Sequence, residues 1–265
     1  TVAIGLALVC LAALIYYIHH LARSIKSTTI LAGITREAVA AMENLRHDIA
    51  AAKGRTDAGA GERLEGRLEL RAGKSGYLQG VDWTGIESSL RGRRWRMALQ
   101  ATPGDYVHRG AALAVLESSP APREALAQAL LPRFEIGSER THSQDIRFGL
   151  RQMSDIALRA LSPGINDPST AEEALNEIGT VLLHYTRHCA ERGPTGMDGG
   201  WVALKEPSYE DLMDLCFDEI AAAARPFPRL GRRIQEILKH CEAEASDEKR
   251  ARAVRAKRER LLSSP

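Results

Sequence analysis

The first long stretch of the chain, "VAIGLALVCLAALIYYI" over residues 2–18, carries no charged side chain and almost no polar one. Such a run demands either lipid or a protein interior around it. It can be extended through His19 and His20 to Ala22 before Arg23 ends it. That length reaches the roughly 20 residues needed to cross a hydrocarbon core of about 30 Å. Tyr16 and Tyr17 fall where a membrane interface would lie, a place amphipathic rings prefer. A secretory signal is the rival reading, and it lacks a basic leading region and a small-residue cleavage site. Residues 1–22 are therefore expected to form a transmembrane helix and, since the chain opens on Thr1, the last of several. Arg23, Lys26 and Arg36 follow with no acid before Glu37, which places the following part in the cytoplasm by the positive-inside rule.

Charge narrows the classes further. With 36 basic and 34 acidic side chains the net charge is +2, too balanced for a nucleic-acid partner to be read from it. Cys10, Cys189, Cys216 and Cys241 form no CxxC pair, so neither a disulfide framework nor a zinc knuckle is indicated.

Beyond the apolar run, Leu31, Ile34, Ala38, Ala41 and Leu45 recur at helical spacing, which predicts a helix packed along one stripe. "KGRTDAGAGER" at 53–63 holds three glycines and reads as a linker, so residues 23–65 form a helix and connector. Residues 66–118 change character to short alternating pieces around Pro103-Gly104-Asp105, a β-rich unit with a sharp turn. Helical spacing then returns near Pro122–Leu131, Asp145–Leu161, Pro168–His188, Ser208–Ala224 and Leu230–Glu244, so residues 119–245 form a helical unit. Residues 246–265 are a basic tail; from Lys249 to Arg260 it carries seven basic side chains against one acid. On the cytoplasmic side such a tail could touch anionic lipid, at about 1 kcal/mol per basic side chain.

Three motifs invite chemistry. "GKS" at Gly73–Ser75 lacks the glycine five positions earlier that a phosphate loop needs, where Leu68 stands, and strand residues follow it. His184 and His188 lie one helical turn apart and are weak candidates for a metal pair, with no partner at convincing spacing. Arg151, Asp155 and Arg159 form a row along one helix face, flanked by apolar residues that suggest burial. The row is read as an ion row fixing helix register, or alternatively as an anion or ligand site. The row runs into the corner "SPGINDP". There Gly164 is expected to take a left-handed cap, Ile165 to plug apolar space, and Asn166-Asp167 to turn the chain, with Asp167 capping the helix that starts at Pro168. No catalytic constellation is complete and no cofactor is indicated.

Two resemblances follow from these residues. Pro103, Gly104, Asp105, Val107, Gly110 and Leu113 resemble the turn of the barrel-sandwich hybrid in biotinyl, lipoyl and adaptor domains, without the lysine that carries a swinging arm. "IGSERTHSQDIRFGLRQMSDIALRALSPGINDPSTA" at 136–171, with "YIHHLA" and "SGYLQGVD", resembles the bacterial predicted-membrane-protein family known as domain of unknown function 2254. The family resemblance implies a bacterial inner-membrane protein with several helices ahead of a soluble region, and no assigned reaction. The expected fold is thus an α+β membrane protein: a transmembrane helix, a small barrel-sandwich-like β unit and an α-helical C-terminal unit. The expected role is non-enzymatic and channel- or transporter-like, as a homo-oligomer in the bilayer. A membrane-anchored anion or ligand sensor, or an enzyme, that binds an anion with the Arg151/Asp155/Arg159 row and the Asn166-Asp167 corner is the alternative.

Overall fold

The computed structural model describes residues 27–51, 64–188, 195–205 and 207–263, with a few positions before residue 17. Most of the apolar run at 2–18, and the glycine-rich stretch at 53–63, lie outside the described residues. Among the described residues no helix is long and apolar enough to cross a membrane. The expected transmembrane helix is corrected accordingly: the fold seen is α+β with mixed sheets. Its first complete helix, α1 (Ser27–Ala51), carries Arg36, Glu37 and Glu43, which a lipid-spanning segment would not tolerate.

The β-rich unit holds two sheets. Strands β1 (Gly66–Arg71), β3 (Arg94–Leu99) and β5 (Ala112–Ser119) pair antiparallel, with β5 between the other two. A second sheet sets β2 (Gly76–Val81) between β4 (Tyr106–Val107) and β6 (Phe134–Gly137). A short helix, α2 (Trp83–Ser89), is capped by Asp82, whose carboxylate accepts from the Gly85 N–H. Burial alternates along β3, where Trp95, Met97 and Leu99 face inward, as one-sided strands require. These residues, with Leu70, Leu78, Leu113, Leu116 and Leu130, make one apolar core. The last comes from α3 (Glu124–Leu130), which leads through a single 3₁₀ turn into β6.

The first sheet takes two further strands from far down the chain. β7 (Thr195–Met197) and β8 (Gly200–Ala203) form a hairpin, and β8 lies parallel to β3 with Trp95 opposite Gly200. The sequence reading placed this stretch among helices, because strands of three and four residues give too few alternations to register. Glycine is needed at 200, where a Cβ would run into the Trp95 backbone and ring.

The helical unit comprises α1 with α4 (Ile146–Ala160), α5 (Pro168–His188), α6 (Tyr209–Ala223), α7 (Pro228–Ala243) and α8 (Glu248–Ser263). Four members of the stripe read from the sequence pack: Leu31, Ala38 and Ala41 are buried and Ile34 lies against the same core, while the Leu45 side chain falls outside the described residues. Gly149 lets α1 and α4 approach closely, since a Cβ there would lie 2.8 Å from the Ala38 methyl. Within the stretch read as a basic tail (246–265), residues 248–263 form α8, docked on α6 and α7. Lys257, only 2% exposed, donates to Asp214 and Asp218, and Arg255 and Arg258 both reach Glu242. Much of the positive charge of this helix is spent inside the fold.

Candidate functional site

The densest polar cluster lies where the β-rich unit meets the helices, at the start of α4. Residues 139–144 run along β2 and tie to it by side chains. Gln79 Nε2 donates to the Glu139 carbonyl at 2.7 Å. The Gln144 amide takes the Val81 N–H at 3.0 Å and returns a bond to the Val81 carbonyl at 3.2 Å, doing for β2 what another strand would do. Asp145 follows at the N-terminus of α4, and its side chain is 1% exposed.

Such a buried carboxylate must be paired. Arg140 Nε and Nη2 both donate to its Oδ2, at 3.0 and 2.6 Å, and Arg147 Nε lies 3.7 Å from Oδ1. Arg147 also reaches across to the turn: its Nη2 donates to the Pro103 carbonyl at 3.1 Å and to Asp105 Oδ1 at 2.8 Å. The turn is locked from its other side, where Gly104 N donates to the Leu78 carbonyl at 2.7 Å and Leu78 N to the Asp105 carbonyl at 2.9 Å. Gly104 sits at φ +93°, and a Cβ on it would collide with the Asp145 carboxylate. The glycine is therefore required twice over, by its backbone and by the carboxylate packed on it.

The cluster continues into the helices. The Arg140 guanidinium lies 5.0 Å from the Phe148 ring centroid, and the His142 ring lies 4.5 Å from the same ring. His142 Nε2 is 3.2 Å from a Glu37 carboxylate oxygen on α1. One connected set of side chains thus joins the Pro103–Asp105 turn, β2, the start of α4 and α1. What it does chemically is fasten, because both arginines are already engaged and the carboxylate between them is closed off from solvent.

The residues singled out from the sequence lie elsewhere. Arg151 Nε pairs with Asp155 Oδ1 at 2.9 Å, and Nη1 donates to Glu219 at 3.4 Å. Asp155 is 49% exposed and Arg159 is exposed, so the expected burial of the row is corrected: its spacing is right, but the face looks to solvent. Arg159 forms no ion pair among the described residues. At the corner, Asp167 caps α5 as read. Its Oδ1 accepts from the N–H groups of Ser169 and Thr170 at 3.0 and 3.1 Å, and its Oδ2 from the Thr170 hydroxyl at 2.7 Å. The Thr170 hydroxyl, then those N–H groups, hold this carboxyl below its usual range. The left-handed residue of the corner is Asn166 (φ 49°), not Gly164, and Ile165 is 55% exposed and plugs nothing. Asparagine tolerates that conformation because its short polar side chain suits it. His184 and His188 face each other, with ring centroids 4.5 Å apart. Among the described residues no group of three or more His, Cys, Asp or Glu is placed to hold a metal.

A second polar group lies deep among the helices. The Arg250 guanidinium sits 5.7 Å from the ring centroids of both Tyr185 and Tyr209, whose rings stack, and the Tyr209 hydroxyl bonds Thr186. Burial pushes the Cys241 thiol up to about 11 and the Cys216 thiol further in the same direction. Both are protonated at neutral pH and therefore poor nucleophiles.

The sequence pointed to the Pro-Gly-Asp turn and to the 136–171 block separately. Nothing in their spacing said that Asp105 and Arg147 meet.

Fold and site together define a non-repetitive α+β protein whose two parts are held by a buried arginine–aspartate clasp. The chain belongs to the family of predicted membrane proteins known as domain of unknown function 2254, whose model matches residues 1–240. Similar proteins include an uncharacterized protein of Mycobacterium bovis and two of Mycobacterium tuberculosis. Each is 38% identical over 185 residues, which is 68% of this chain and 35% of the relative. The chain therefore spans about a third of the length of these curated relatives. No solved structure matches it.

Proposed function

We propose that this part of the chain is a non-catalytic assembly or regulatory unit of a channel- or transporter-like membrane protein. The observation that carries the reading is the clasp: Arg140 and Arg147 hold Asp145 at the start of α4, and Arg147 also ties it to Asp105 in the turn of the β-rich unit. Two parts joined in this way suit a unit that positions subunits or transmits a displacement. Family membership supports the membrane setting. The arrangement of reactive groups agrees with a non-catalytic role, since the buried thiols are protonated and the clasp's charges are engaged with one another. The alternative of an anion sensor on the Arg151 row has less to work with, because Arg151 is committed to Asp155 and Glu219.

Native mass spectrometry of the full-length protein in detergent tests the proposal. A closed ring of several subunits, retained by Asp155→Ala and disrupted by Asp145→Ala, is the expected result. A monomer overturns it.

A further inference from the structure

A groove lies away from the clasp, at the far end of the helical unit. Two connected hollows of about 300 and 460 Å³ open where the end of α6, the start of α7 and the last turn of α8 converge, and both are lined by Pro228, Gly231, Gln235 and Leu261. The floor is apolar: Ile234 and Ala224 are buried, and Phe227 and Leu261 pack half-buried against the same core. Leu262, 67% exposed, stands at the rim.

The charges around the groove are unevenly satisfied. Arg260 is bound to Asp214 and Asp218, and Glu236 pairs with Arg233 at 3.0 Å. Arg225 at the first hollow and Arg232 at the second are exposed, and their side chains make no hydrogen bond or ion pair among the described residues. An apolar slot with an uncompensated guanidinium at each hollow is complementary to an amphiphile with an anionic head. The chain would desolvate on the floor while guanidinium forks take the phosphate oxygens.

We infer that this groove binds one acyl chain of an anionic lipid, with the headgroup phosphate on Arg225 and Arg232. Lipid is the occupant favoured over an acidic peptide because the chain belongs to a family of predicted membrane proteins, which keeps lipid at hand. The inference uses none of the clasp residues and stands apart from the assembly reading.

The test is titration of the full chain, held in a neutral maltoside detergent, with dodecyl phosphate, followed by calorimetry. Saturable binding is expected, with dodecylphosphocholine and inorganic phosphate each weaker. Arg225→Glu combined with Arg232→Glu should weaken dodecyl phosphate by at least about tenfold. Both side chains are exposed and unpaired, so the variant should keep its circular dichroism; Leu262→Asp, altering the rim alone, should weaken binding in the same direction. Unchanged affinity in the charge-reversed protein overturns the inference. So does inorganic phosphate binding as tightly as dodecyl phosphate, which would mark a plain anion site, or equal binding of dodecylphosphocholine, which would mark an apolar one.

Discussion

Asp145 and Asp155 lie ten positions apart at the start and in the body of the same helix, and each has an arginine partner. One is 1% exposed and the other 49%. The first is held by two arginines against a turn from the β-rich unit; the second pairs with one arginine in front of water. Identical chemistry thus does opposite work, and what decides is whether a second layer of structure lies over the helix face. A charge pair under such a layer has no water to fall back on, whereas an exposed pair exchanges one set of partners for another at little cost.

The largest expected effect breaks the buried member. Asp145→Ala would leave Arg140 and Arg147 facing each other over a closed space, and should cost about 3–5 kcal/mol in urea unfolding. A loss no larger than that of Asp155→Ala would mean that water reaches the clasp. Next comes Gly104→Ala, which puts a methyl where the Asp145 carboxylate lies, at a backbone angle alanine resists. A loss of about 1–3 kcal/mol is expected from the backbone strain alone, whereas Gly73→Ala, in the loop between β1 and β2 where an added methyl meets nothing, should do almost nothing. Chemical denaturation of both variants gives the answer.

Asp167 sharpens the comparison from an intermediate position, since it is a half-buried carboxylate with three hydrogen bonds. Asp167→Ala should cost about 1 kcal/mol as a lost helix cap. Its folded-state carboxyl is held below the ordinary value, so its contribution is present above about pH 4 and fades as pH falls through the folded value. The variant should accordingly show a shallower loss of stability in acid than the parent, and parallel acid limbs would remove the cap from the account. The smallest effect belongs to Asp155→Ala, at about 0.5 kcal/mol or less and diminished by salt.

At the alkaline end the helical core supplies the signal. Cys216, Cys241 and Tyr209 are kept neutral by burial, with Cys241 pushed up to about 11. Their contribution is complete below the unfolded thiol value of about 8.5 and is lost as pH rises beyond it. Cys241→Ala should flatten that limb, read by thermal unfolding between neutral pH and the alkaline range.

The same contrast explains what could be read in the sequence. Helical spacing put Leu31, Ala38 and Ala41 on one face, and packing followed, because an apolar stripe has nowhere else to go. The cap at Asp167-Pro168 was legible since its partners are two and three residues away. For Arg151 and Asp155 the register was legible and the environment was not: periodicity says which side chains share a face, never what covers it. The clasp was illegible for a related reason, as Arg147 meets Asp105 across 42 positions. The basic run at 249–260, read as a tail within reach of anionic lipid, places several of its side chains on acids of two other helices, partners that charge counting along the chain does not reveal. The membrane span proposed for residues 1–22 found no counterpart among the described helices.

The parallel strand β8 carries one more consequence. Trp95 on β3 is 1% exposed and donates its indole N–H to the Asp198 carbonyl, from a hairpin made 103 residues later. During synthesis, which runs at about 5–20 residues per second, the nascent β3 must wait on the order of five to twenty seconds for the strand that closes its edge. Through that interval an aromatic side chain and a row of backbone groups stand open to neighbouring polypeptides. Ribosome-bound chains halted before residue 195 would therefore be the species that chaperones meet, with a red-shifted tryptophan emission as their mark.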